Sequence, residues 1–129
     1  VDDPTGTPIN KKIAAQDVFN NIPSFLGLSQ ASQQLVSDGS TTIVVDIASS
    51  ITEIDATSAI ATATLANGAD GQIKTIINTS TSGTNVVTIT PANLRGFTNI
   101  LLNAPGETVT CLFKNSAWNI IAGNGFTTS

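Results

Sequence analysis

The residues able to do chemistry are few in this 129-residue chain, and their spacing argues against most reactions. Histidine is absent. That removes imidazole as general base, as metal ligand and as partner for a serine or cysteine nucleophile. The stretch Gly68-Ala-Asp-Gly71-Gln-Ile-Lys74-Thr75 has the outline of a phosphate-binding loop. Such a loop needs its lysine directly after the last glycine, at the mouth of a helix. Lys74 comes two residues late, in a run that alternates as a strand, so the segment reads as a turn entering a strand. Glu53 and Asp55 alternate as Ca²⁺-ligating oxygens do, but no dense acidic cluster accompanies them. With Asp46 and Asp70 they read as solvated carboxylates. Hydrolysis by paired carboxylates needs one acid in an apolar pocket. One Trp and no Tyr leave little platform for stacking a sugar. Cys111 lies between Thr110 and Leu112 in an apolar run and reads as a buried structural thiol. Asn78-Thr79-Ser80 is a glycosylation sequon, relevant only in a secreted eukaryotic protein. The expectation is no catalytic residue, no metal, no cofactor and no enzyme. With no imidazole, only Cys111 or a free amino terminus should titrate near neutrality, so behaviour should be flat between about pH 6 and 8.

The elements that would position these residues are strands. Nineteen Thr, twelve Ser and twelve Asn make a third of the chain small and polar, while Ile, Val and Leu add thirty-one residues for a core. After Gly39 come short β-type runs: Thr41–Ile47, Ser58–Leu65, Gln72–Asn78, Asn85–Thr90, Phe97–Asn103, Glu107–Phe113 and Ala117–Ala122. Turn signals separate them, among them Asn67-Gly68, Asp70-Gly71, Ser82-Gly83, Pro105-Gly106 and Asn115-Ser116. This spacing predicts a mainly β protein, an antiparallel sandwich- or barrel-like domain over residues 38–129. The strongest hairpin joins Thr108–Phe113 to Trp118–Ala122, and its alternation predicts Phe113, Trp118 and Ile120 as core. Ser58–Leu65 alternates alanines against Ile60, Thr62 and Thr64, leaving almost no face made for water. Strands apolar or small on both faces predict that other chains cover one of them.

Residues 1–37 read as a docking arm, partly extended and partly helical. Val1 to Pro8 is irregular and acidic. Residues 12–22 suit a short helical turn, ended by Pro23, which disfavours the helical conformation at Ile22. Ser29 suits an N-cap for a helix over Gln30–Ser37, with Gly39 as its stop signal. Leu28, Ala31 and Leu35 then share one helix face. Two turns of helix are marginal alone in water, so that stripe needs a partner. Ile13, Val18, Phe19 and Ile22 are the expected docking contacts. The start at Val1, without an initiator Met, reads as a processed or truncated start.

Charge narrows the partners. Nine acids against five bases give −4, with Lys11, Lys12, Lys74, Arg95 and Lys114 scattered along the chain. Nucleic-acid binding wants a basic footprint, and none is present. A single cysteine offers no intramolecular disulfide. No apolar run approaches the ~20 residues of a membrane helix.

Four stretches carry a resemblance: Gly71-Gln-Ile-Lys-Thr-Ile-Ile; Val87-Thr-Ile-Thr-Pro with Gly96, Ile100 and Leu101; Gly106-Glu-Thr-Val-Thr-Cys-Leu-Phe; and Trp118-Asn-Ile-Ile-Ala-Gly-Asn-Gly. They resemble a recurring β-module of tailed-bacteriophage structural proteins, found in tail fibres, head fibres and capsid decorations. Asp3-Pro-Thr-Gly-Thr-Pro-Ile-Asn-Lys-Lys-Ile with Asp17-Val-Phe is similar to a segment preceding such modules. The resemblance implies a β-rich, trimeric virion component with no enzymatic site. The expected function is therefore a virion structural protein, a homotrimeric fibre or knob component attached to the phage particle. Its partners would be two further copies of itself and another virion protein held through the arm. Alternatives are a capsid decoration (cement) protein or a receptor- or glycan-binding fibre tip. In a tip, loops such as Thr79–Thr84 and Pro91–Gly96 would touch a host receptor.

Overall fold

The computed structural model describes residues 32–82 and 85–129, and within them the chain begins by winding. Six short strands come first: β1 (Gln33–Val36), β2 (Ile43–Val45), β3 (Ile51–Asp55), β4 (Ala61–Leu65), β5 (Ile73–Asn78) and β6 (Val87–Pro91). Odd-numbered strands enter sheet A and even-numbered strands enter sheet B, each parallel to its predecessor in the same sheet. Parallel pairing follows from the path. Between Val36 and Ile51 the chain crosses to the other sheet and back, supplying the dozen or more residues that a parallel return needs.

The winding stops at β7 (Ile100–Leu102), β8 (Thr108–Lys114), β9 (Ala117–Asn124) and β10 (Thr127–Thr128). These pair antiparallel and finish two five-stranded sheets, β1-β3-β5-β8-β9 and β10-β7-β6-β4-β2. The β8–β9 turn consists of Asn115 and Ser116, with φ of 53° and 63°. Positive φ at both central residues is the type I′ geometry whose twist matches the flanking strands. It sets Phe113 opposite Trp118.

The molecule is thus mainly β and sandwich-like, and its sheets do not close into a barrel. The expectation of antiparallel pairing throughout is corrected: among the described strands, four pairings are parallel and four antiparallel. The expected helix over Gln30–Ser37 is also corrected. Gln33–Val36 is an edge strand of sheet A, in register with β3 from Gln33↔Thr52 to Val36↔Asp55. The edge gives these residues a ladder and a core, whereas two isolated helical turns have neither. Leu35 packs against the chain's own core rather than on a helix face. So part of the arm drawn as 1–37 belongs to the sheet. Ile13, Val18, Phe19, Ile22, Leu28 and Ala31 lie outside the described residues.

The core lies between the sheets. Ile54, Ile76, Val109, Cys111 and Trp118 come from sheet A, and Ala61, Ala63, Leu65, Ile89, Ile100 and Leu102 from sheet B. Phe113 and Trp118 are buried, while Ile120 is half-buried against them. A bulge between Thr110 and Cys111 then breaks the alternation of β9 and leaves Ile121 outside.

Candidate functional site

The inner face of β5 places a lysine inside the sandwich. Alternation points Lys74, Ile76 and Asn78 inward, and all three are buried. Lys74 Nζ donates to the Ser49 carbonyl at 2.6 Å and lies 3.9 Å from Asp46 Oδ1. Asp46 accepts from the Ser49 amide at 2.7 Å and from its hydroxyl at 3.2 Å. Gln72 Nε2 donates to the Ile47 carbonyl, and its Oε1 accepts the Ala69 amide at 3.0 Å. Gln33 Nε2 donates to Val44 at 3.0 Å, while its Oε1 accepts from the Asp46 amide and the Thr52 hydroxyl. Gln33 and Lys74 of sheet A, with Gln72 just ahead of β5, therefore hold the carbonyls of residue 44 in β2 and of residues 47 and 49, where the chain crosses from β2 to β3. A crossover has no ladder to satisfy its buried backbone groups, so side chains must do it.

Lys74 corrects the expectation that only Cys111 or the amino terminus could titrate near neutrality. Burial pulls its ammonium down from 10.5 to about 8, with Asp46 pulling partly back up. Cys111 is displaced the opposite way, its thiol pushed by burial up to about 12. A thiol so protonated is no nucleophile.

The opposite end is braced in the same manner. Ser80 Oγ accepts the Ala56 amide at 2.8 Å, Asn85 Nδ2 donates to Ala56 O at 2.8 Å, and Ser37 Oγ donates to Ile60 O at 2.6 Å. Asn78 Oδ1 in turn holds Ser80 through its amide and hydroxyl. Among the described residues no buried side-chain polar atom lacks a partner. This network can fix shape.

The carboxylates stand apart. Glu53 accepts from Ser32 and Gln34, Asp55 holds Thr57, and Asp70 pairs with Lys114 at 2.7 Å while accepting the Asn115 amide. Hydrogen bonding by Lys114 is the main reason the Asp70 carboxyl sits below its ordinary value. Among the described residues no three His, Cys, Asp or Glu side chains gather as a metal site would require. In the loop Pro91–Gly96, Arg95 is tied down, its Nε donating to Asn119 Oδ1 at 2.9 Å and its guanidinium to Asn115 O at 3.2 Å. Of Thr79–Thr84, the last two residues lie outside the described set, and Thr81 and Ser82 are exposed.

Gly68 tests how tightly the Trp118 end is built. A methyl group there would stand 2.5 Å from Gln72 Oε1 and 3.0 Å from the indole of Trp118. Gly68→Ala should therefore destabilise the protein by about 1–3 kcal/mol, the usual cost of overpacking. Urea unfolding measures it, and an unchanged midpoint would mean the loop yields without strain.

The outer faces carry the remaining distinctive chemistry. On sheet A, Ile73 pairs with Leu112 and Thr75 with Thr110, whose hydroxyls lie 3.0 Å apart. Ile51 and Ile77 flank this row, and Ile73 and Ile121 are 40% and 53% exposed. Across β5, β8 and β9 the outward residues are uncharged except Lys114 at the rim. The outer side of sheet B is also uncharged: Val44, Thr64 and Thr90 stand in one rank, Thr62, Thr88 and Leu101 in the next. The two-sided strands are thus β5 and β8, whereas Ile60, Thr62 and Thr64 of the Ser58–Leu65 run are exposed. The sequence pattern did not single out Lys74, Gln72 or Gln33 as braces. The available signal was a lysine on the same side of the alternation as Ile76.

No protein-family model matches this chain, and no curated protein matches it.

Proposed function

We propose that this chain is a virion structural protein of a tailed bacteriophage, a homotrimeric fibre or knob component that acts mechanically. The single observation that carries the assembly part is the outer face of β5–β8–β9. Ile73, Leu112 and Ile121 stand there among Thr75, Thr110 and Asn119, and Ile77 lies at the margin beside Glu53 of β3. Single exposed apolar residues are ordinary on a monomer, but a contiguous apolar row depleted in charge is what an interface core presents. The bracing at both ends supports a load-holding role, because side chains tie the β2–β3 crossover to β5 and its approach and the β3–β4 crossover to neighbouring connections. The virion assignment is supported by the resemblance of the four stretches, which fall on β5, on β6–β7, on β8 and on β9. In this reading Ile13, Val18, Phe19 and Ile22 contact a neighbouring virion protein.

Capsid decoration is the second reading, favoured by the broad, uncharged threonine ranks on sheet B. The test is the native mass of the full chain beside Ile73→Lys and Leu112→Lys. The expected result is a trimer in the parent and monomers in the double variant, with the β-sheet circular dichroism kept. A parent that is monomeric at tens of micromolar would end the oligomer reading, as would a double variant that stays trimeric.

A further inference from the structure

The chain leaves sheet A at the end of β9 and enters sheet B at β10. The ladder of β9 ends at Gly123 opposite Val109, and a single bridge from Gly125 to Thr108 follows. Phe126 then packs against the core, its ring lying on Gly123. Beyond it Thr127 pairs with Leu101 and Thr128 with Ile100. The Ser129 carbonyl accepts the Thr98 and Asn99 amides at 2.7 and 3.0 Å. Residues 125–129 are thus a strap from one sheet to the other, and Gly125 is its hinge.

The hinge is glycine by necessity. Its φ is 74°, and a methyl group there would stand 2.8 Å from Glu107 Oε1. Before it comes Asn124, exposed, at the last position of β9. An asparagine followed by glycine reacts with its own backbone, because no side chain shields the next amide. That amide nitrogen attacks the side-chain carbonyl carbon, and the carboxamide C–N bond breaks. Ammonia leaves, carrying the proton of the attacking amide. Water then opens the five-membered imide at either carbonyl, giving aspartate or isoaspartate. In isoaspartate the main chain is longer by one methylene. The chain has a second Asn-Gly pair, Asn67-Gly68, but both of its halves are held. Asn67 Oδ1 accepts from Asn93 Nδ2 at 3.1 Å, and Gly68 is hemmed in by Gln72 and the Trp118 indole. Among the described residues the Asn124 side chain has no such partner. We propose that Asn124 is a site of spontaneous modification, and that its conversion to isoaspartate displaces the hinge and frees the strap from β7. Two ladder residues are little to hold β10 once the hinge lengthens. The inference is independent of the virion reading.

Peptide mapping of the full chain after incubation in mild alkali tests it. Asn124 should convert on the order of tenfold faster than Asn67, since opening costs less at a strand end than in a braced loop. Hydrogen exchange then compares converted with unconverted chains. The Thr98 and Asn99 amides should exchange faster after conversion, while β5 and β8 keep their protection. Asn124→Gln, whose longer side chain closes the ring far more slowly, should keep the strap protected through the same incubation. Asn67 converting as fast as Asn124, or Asn124 staying intact, would overturn the site. Converted chains with unchanged exchange at Thr98 and Asn99 would overturn the release, and so would a loss of protection shared by β5 and β8.

Discussion

Trp118→Ala should cost about 3–5 kcal/mol of folding stability, the range for a buried aromatic truncated to alanine. The indole is fully buried and meets the Phe113 ring edge-on, with centroids 5.1 Å apart and planes at 71°. Its Nε1 donates to the Ala66 carbonyl at 2.9 Å, so the side chain also ties the β4–β5 loop to the hairpin. Truncation removes packing and leaves that carbonyl without its donor. Trp118→Phe separates the two contributions. It keeps most of the apolar volume and should cost less, with about 1 kcal/mol coming from the lost hydrogen bond. Phe113→Ala belongs in the same 3–5 kcal/mol range. Urea midpoints for the three variants are the measurement. A Trp118→Ala loss below 1 kcal/mol would show that the hairpin does not anchor this core.

The second large effect is a stability that climbs in mild alkali. Lys74 has a folded pKa of about 8 against 10.5 for the free side chain. Between those values the unfolded chain binds more protons than the folded one, so stability rises with pH. Cys111 works in reverse. Its folded value of about 12 lies above the ordinary 9.0, so from pH 9 upward it lowers stability. The lysine therefore acts alone from about pH 8 to 9, where stability should increase by about 1 kcal/mol, given 1.36 kcal/mol per pKa unit. From 9 to 10.5 the two oppose each other, and above 10.5 the thiol alone remains and stability falls. Lys74→Met should remove the rise, and Cys111→Ala should extend it toward pH 10.5, to about 3 kcal/mol in all. Unfolding free energies from pH 7 to 11 check this. A decline between 8 and 9, or a rise that survives Lys74→Met, would exclude Lys74 as the source.

Much of the C-terminal half was legible because its contacts are local. Phe113 and Trp118 flank a two-residue turn, and the spacing of Asn115-Ser116 between two alternating runs suffices to pair them. The winding half was hidden for a physical reason. Parallel partners such as Ile51 and Thr75 meet only after a whole strand of the other sheet has intervened, and no turn signal marks that. Ile51–Asp55 escaped notice because Glu53 and Asp55 look like solvated acids, although Thr52 and Ile54, which alternate with them, are 0% exposed. Gln33–Val36 was misread since a four-residue strand is too short for its period to outweigh a coincidental Ala31–Leu35 helical spacing. The Lys74 brace was the hardest to foresee. A lysine in an alternating strand is ordinarily placed outward, and only the carbonyl of Ser49, far along the chain, explains why this one points in.

The alternation between sheets also makes length a countable property. Corresponding positions recur after 19 residues from Gln33 to Thr52 and 24 from Ile51 to Thr75 in one sheet. In the other they recur after 20 from Ile43 to Ala63 and 26 from Ala61 to Val87. Of the winding strands, the antiparallel strands after β6 pair only with those of the last coil, through β5–β8 and β6–β7. A block of roughly twenty residues could therefore be duplicated or lost without disturbing that terminal cap, since each coil answers only to its neighbours. Evolution along such a lineage would proceed by whole turns, and descendants would differ in length by multiples of one coil rather than by scattered loop insertions.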